Sequence, residues 1–68
     1  MNMLLLDDYS FGNRKAQVLQ IQEGQYRVDY YLDNKLLMTH NATDVSVAKK
    51  LAEDFTDGRN SQLLNENA

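Results

Sequence analysis

Cysteine is absent from this 68-residue chain, which rules out both a disulfide and a thiolate metal site. Histidine occurs once, at His40, and one imidazole is too few for a histidine-based metal centre within a single chain. The three glycines, Gly12, Gly24 and Gly58, stand far apart. None belongs to a phosphate-cradling loop, and each reads as a turn or a helix end. Long hydrophobic runs are also missing. The longest, Met3-Leu4-Leu5-Leu6, is far shorter than a membrane span or the apolar region of a signal peptide, and Asp7-Asp8 follows it. Asn41-Ala42-Thr43 matches a glycosylation acceptor, but without a secretory signal it reads as incidental. A cytoplasmic location is the expectation.

There is no basic excess either. Seven Lys and Arg face ten Asp and Glu, for a net charge of −3. Neutralising phosphates supplies most non-specific nucleic-acid affinity, so this balance disfavours a dedicated nucleic-acid binder. What remains is 43% hydrophobic and 25% charged, the composition of an ordinary globular domain. A chain of about 60 residues buries only roughly 60% of the surface its unfolded form exposes. Domains this small often gain a metal, a disulfide or a partner. With the first two excluded, a protein partner or self-association is the expected supplement.

Gln25 to Gly58 carries the clearest pattern. Tyr26, Val28 and Tyr30 alternate with Arg27 and Asp29, the period of a half-buried strand. Arg14 to Gln22 forms the strand before it, across a turn at Glu23-Gly24. A two-residue loop pairs Ile21 with Tyr26 and Leu19 with Val28, all on one face; a loop one residue longer would set Gln20 opposite Tyr26. Parity selects the first register, reached by the two-residue loop or by a four-residue one. After Tyr31, a three-residue loop Leu32-Asp33-Asn34 sets Tyr30 against Leu36, Val28 against Met38 and Tyr26 against His40. A two-residue Asp33-Asn34 turn would collect less apolar surface on that face. Tyr26, Val28, Tyr30, Leu36 and Met38 are therefore the expected sheet contribution to the core.

Thr43 reads as a helix N-cap, with Asp44 in the first turn. Val45, Ala48, Leu51, Ala52 and Phe55 make one apolar stripe, and Gly58 sits where a left-handed residue would end the helix. The expected fold is α+β: a three-stranded antiparallel meander covered on one face by a C-terminal helix, over residues 14–58. Residues 1–13 form an extended segment in which Leu4 to Leu6 make either a fourth short edge strand or a helical turn. Residues 59–68 read as a polar tail.

No nucleophile stands beside a base, and no carboxylate pair or metal cluster is spelled out, so no catalytic or cofactor residue is assigned and the chain does not read as an enzyme. His40 reads as a partly buried rim residue beside Tyr26. Asp7, Asp8, Asp54 and Asp57 read as solvated carboxylates. Lys49-Lys50 reads as an exposed face paired with Glu53 and Asp54. The candidate interface combines the apolar N-terminus (Leu4, Leu5, Leu6, Tyr9 and Phe11) with the reverse sheet face (Arg27, Tyr31 and Leu37, joined by Val18 and Arg14). A nucleic-acid platform built on Arg14, Lys15, Arg27, Tyr31 and Lys35 is the alternative, and a homo-oligomeric structural component is a third. No small-molecule ligand is indicated.

From Gln25 the run Gln-Tyr-Arg-Val-Asp-Tyr-Tyr-Leu-Asp-Asn-Lys-Leu, then Thr43-Asp44 and Ala48, Leu51-Ala52-Glu53-Asp54-Phe55 and Gly58, resembles small uncharacterised proteins of tailed bacteriophages, including phages of marine cyanobacteria. Those share a tyrosine-rich hairpin, usually with Gly where Asn34 stands, then an alanine-containing helix ending near Phe and Gly. The resemblance covers about half the chain. It implies a phage accessory protein that acts by binding, in the host cytoplasm, and its motifs carry over no site residue.

Overall fold

The computed structural model describes residues 3–57. Four antiparallel strands, β1 (Leu4–Phe11), β2 (Arg14–Gln22), β3 (Gln25–Leu32) and β4 (Lys35–Ala42), form one meander in the order β1-β2-β3-β4. A single helix, α1 (Val45–Thr56), packs on one face. The N-terminal apolar segment is thus a full edge strand rather than a helical turn. Gly58 and the tail lie outside the described residues.

Each turn follows from residues that tolerate a left-handed backbone. Asp33 and Asn34 both have positive φ (54° and 66°), making a two-residue hairpin turn where three residues were expected. The turn is braced from outside. The Asp33 N–H donates to the Asn13 carbonyl at 2.9 Å, and the Asn13 side-chain amide donates to the Asp33 carboxylate at 3.0 Å. Those bonds tie the β3–β4 turn to the Gly12-Asn13 turn two strands away.

Both expected registers are corrected, and bulges are the reason. Glu23-Gly24 is the short turn anticipated, yet the ladder then slips at Ile21, setting Gln20 opposite Tyr26 and Val18 opposite Val28. Leu19 and Ile21 lose the core positions to Ala16 and Val18. In β4 a second slip at Leu37 sets Tyr30 opposite Met38, Val28 opposite His40 and Tyr26 opposite Ala42. Parity arguments assume an unbroken ladder, and one extra residue reverses which side chains face the helix.

The helix-facing rows run Tyr9–Ala16–Tyr30–Met38 and Asp7–Val18–Val28–His40 from β1 to β4. Their inner members, with Ala48, Ala52 and Phe55 of the helix, form the buried core. Ala48 and Ala52 let the helix lie close on the sheet. The Tyr30 and Phe55 rings fill the far end, with centroids 4.8 Å apart. The outer members differ. Tyr9 and Leu6 of β1 pack against the core, whereas Leu36 and Met38, expected inside it, are 56% and 48% exposed. A helix is roughly 10–12 Å across and strands are spaced about 4.8 Å apart, so one helix covers two to three strands. With β1 in the sheet, the helix centres on β2 and β3, and β4 meets the core at Ala42 while Lys35 to Asn41 stay exposed.

Asp44, rather than Thr43, caps the helix. Its carboxylate accepts from the Ser46 N–H at 2.9 Å and the Ser46 hydroxyl at 2.8 Å, which hold its pKa below the ordinary value. At the other end, an Arg14 guanidinium N–H donates to the Phe55 carbonyl at 3.3 Å and the group lies over the Phe55 ring. A cation there complements the helix dipole.

Candidate interaction surface

No described element covers the reverse face of the sheet, and the strand registers fix its composition. Three rows cross it from β1 to β4: Ser10–Lys15–Tyr31–Leu36, Asp8–Gln17–Asp29–Thr39 and Leu5–Leu19–Arg27–Asn41. Alternation along β3 sends Arg27 and Asp29 to the same face. There the Arg27 guanidinium donates to both carboxylate oxygens of Asp29, at 2.8 and 3.0 Å. This forked geometry is the strong form of a charged pair. Asp29 is only 5% exposed although its face is open to solvent.

Around this pair the face is apolar on two diagonals, Leu5 and Leu19 toward β1, Tyr31 and Leu36 toward β4. Leu37 stands exposed at the β4 bulge. Lys15 does not project freely; its ammonium lies 5.5 Å from the centre of the Tyr31 ring. Asp8 and Asp29 balance Lys15 and Arg27, so the face carries no net charge.

The eight residues expected to form one interface are split by the fold. Leu5, Arg27 and Tyr31 share the reverse face, with Leu37 at its rim. Leu6 and Tyr9 are half-buried against the core. Leu4 and Phe11 are exposed at opposite ends of β1, in the rows that face the helix. Val18 is wholly buried and Arg14 is engaged by the helix end, so neither belongs to the reverse face. Leu36 and Leu19 were missed because both had been placed in the core. The two-residue Asp33-Asn34 turn sends Leu36 outward opposite Tyr31, and the bulge at Ile21 does the same for Leu19.

His40 is exposed and lies opposite Val28, its ring edge-on to Tyr30 at 6.3 Å. It borders an open groove of about 770 Å³ between the first half of α1 and the ends of β3 and β4, lined also by Ile21, Tyr26, Ala42, Val47 and Leu51. Asp7 accepts a hydrogen bond from the Tyr9 hydroxyl at 3.1 Å and lies 3.9 Å from the Lys49 ammonium. Burial first, then this bond, raise the Tyr9 pKa; burial and the Asp54 charge raise that of Tyr30. Lys50 pairs with Asp54 at 3.3 Å as expected, whereas Lys49 reaches across to the sheet.

Among the described residues, no three His, Asp or Glu side chains converge as a metal site, and no helix is long and apolar enough to cross a membrane. No family model, curated protein or solved structure matches the chain.

Proposed function

We propose that this is a small binding protein that engages a protein partner through the reverse sheet face. The observation that carries the reading is the composition of that uncovered face. Exposed Leu5, Leu36 and Leu37 and the half-buried Tyr31 surround a mutually neutralised Arg27–Asp29 pair. Exposed apolar residues around a preordered polar centre suit a protein surface, where aromatic and arginine anchors dominate binding. The same face suits nucleic acid poorly. Arg27 is cancelled by Asp29, Lys15 lies on Tyr31, and Arg14 belongs to the opposite face. A single-strand platform needs free cations along a stacking surface. The resemblance to tailed-phage proteins adds the expectation that the partner is a host protein.

The test is affinity capture from a bacterial lysate with the native chain, a Tyr31→Glu/Leu37→Glu variant and a Lys50→Glu control. Both altered faces are solvent-facing, so circular dichroism should show all three folded. A partner retained by native chain and control, and lost with the double variant, is the expected result. Capture indifferent to the double variant, or salt-sensitive retention of labelled single-stranded DNA by the native chain, overturns the reading.

A further inference from the structure

We infer that β4 is a self-pairing edge: two copies of this chain join their β4 strands antiparallel, about a twofold axis normal to the sheet, into one eight-stranded sheet. This contact uses the backbone edge of β4 and borders the reverse face, to which Leu36 and Thr39 also belong. No described strand pairs with the outer side of β4. Its residues Lys35 to Asn41 are all exposed, and Leu36, Leu37 and Met38 form an apolar run along it. Isolated edges of this kind are templates for another strand, and native proteins usually block them with charge or cover. The other edge of the sheet is blocked in that way. Each edge strand carries one bulge, at Leu6 in β1 and Leu37 in β4, so the difference lies in charge and cover: β1 carries Asp7-Asp8, with Tyr9 and Lys49 held onto Asp7.

Charge along β4 selects the occupant and its direction. Lys35 opens the strand, Asp44 follows its end, and no acidic or lysine/arginine side chain lies between them. Lys35 forms no ion pair among the described residues. Asp33, beside it in the turn, is turned onto Asn13. An antiparallel second copy centred on Thr39 brings each Lys35 to the far end of the other strand, next to that copy's Asp44, at both ends of the junction. A parallel arrangement would set lysine beside lysine. Symmetry about an axis normal to the sheet also keeps both helices on one side and both reverse faces on the other. The dimer thereby presents two partner-binding faces on one continuous surface. Isologous pairing of this sort is the commonest route to a closed dimer.

Sedimentation and light scattering over a concentration series should show the 7.8 kDa chain passing to a species of twice that mass. Thr39→Lys sets two ammonium groups together on the axis and should weaken association at least tenfold while leaving the far-ultraviolet spectrum unchanged. Lys35→Glu should weaken it by a smaller factor that shrinks as salt is added. Because the native chain has no cysteine, Thr39→Cys should cross-link to itself with a short bis-maleimide, whereas Ser10→Cys on β1 should not. A monomer at every concentration, or a dimer unaffected by Thr39→Lys and cross-linked through β1 instead, overturns the inference.

Discussion

The two edges of the sheet have similar length and opposite fates. β1 is drawn under the helix: Tyr9 and Leu6 pack on the core, and Asp7 is held by the Tyr9 hydroxyl and approached by Lys49. β4 meets the core at Ala42, with Met38 and His40 left open on the row positions that Tyr9 and Asp7 occupy at the other side. One helix cannot cover four strands, and two features favour β1. It supplies a large ring, Tyr9, beside Ala16, the smallest residue of the β2 core row. Its carboxylate also faces the basic side of α1. The lesson is that an amphipathic strand becomes core or edge according to where the covering helix is anchored, independently of its own hydrophobicity. Leu36, Leu37 and Met38 are as apolar as anything in β1.

The largest test of this asymmetry removes the anchor. Phe55→Ala takes away the ring that holds the helix end against Tyr30 and Arg14, and should cost about 3–5 kcal/mol in chemical denaturation. Asp29→Ala acts equally on both halves of the sheet, since it strips the Arg27 fork at the centre. The expected loss is about 1–3 kcal/mol, the range for charged hydrogen bonds with one partner removed. The comparison itself is read from matched truncations in the Thr39→Lys background, which isolates the monomer. Tyr9→Ala should cost about 1–2 kcal/mol for a half-buried ring, and Met38→Ala within roughly 0.5 kcal/mol, as for an exposed site. Equal effects would mean that the helix does not favour one edge.

Alkaline titration sharpens the same contrast. Tyr9 and Tyr30 have raised pKa values, so the unfolded chain ionises first, near pH 10. Their contribution to stability is therefore intact below pH 10 and is lost as pH rises through the folded-state values. Tyr9→Phe should shallow that decline, measured as denaturation midpoint against pH. The smallest effect belongs to the exposed Lys49–Asp7 contact. Lys49→Ala should cost no more than a few tenths of a kcal/mol and vanish at high salt.

Much of the fold was legible in the residues, and specific physics explains the rest. The alternation of Tyr26, Val28 and Tyr30 placed those three side chains on the helix face, and the stripe Val45, Ala48, Leu51, Ala52 and Phe55 placed the helix. Both hairpins were located, because Gly24, Asp33 and Asn34 are suited to left-handed backbone. What failed was the identity of the residues opposite β3. The bulges at Ile21 and Leu37 are single extra residues that no local composition announces, and each exchanged one set of neighbours for another. The candidate surface inherited that error: Arg27, Tyr31 and Leu37 were located through β3 and its turn, while Leu36 and Leu19 were hidden by the wrong register.

The sequence by itself determined the class of fold, the order of the last three strands and the helix, and the exclusion of disulfide and thiolate chemistry. Those depend on composition and on periodicities of a few residues, which are local. Which strand edge is sheltered, which leucines face solvent and how Arg27 is neutralised were decided only by the tertiary structure. Each of those depends on where one helix settles over four strands and on two slips in the ladder, and the free energy of that choice is spread across contacts between residues distant in the chain.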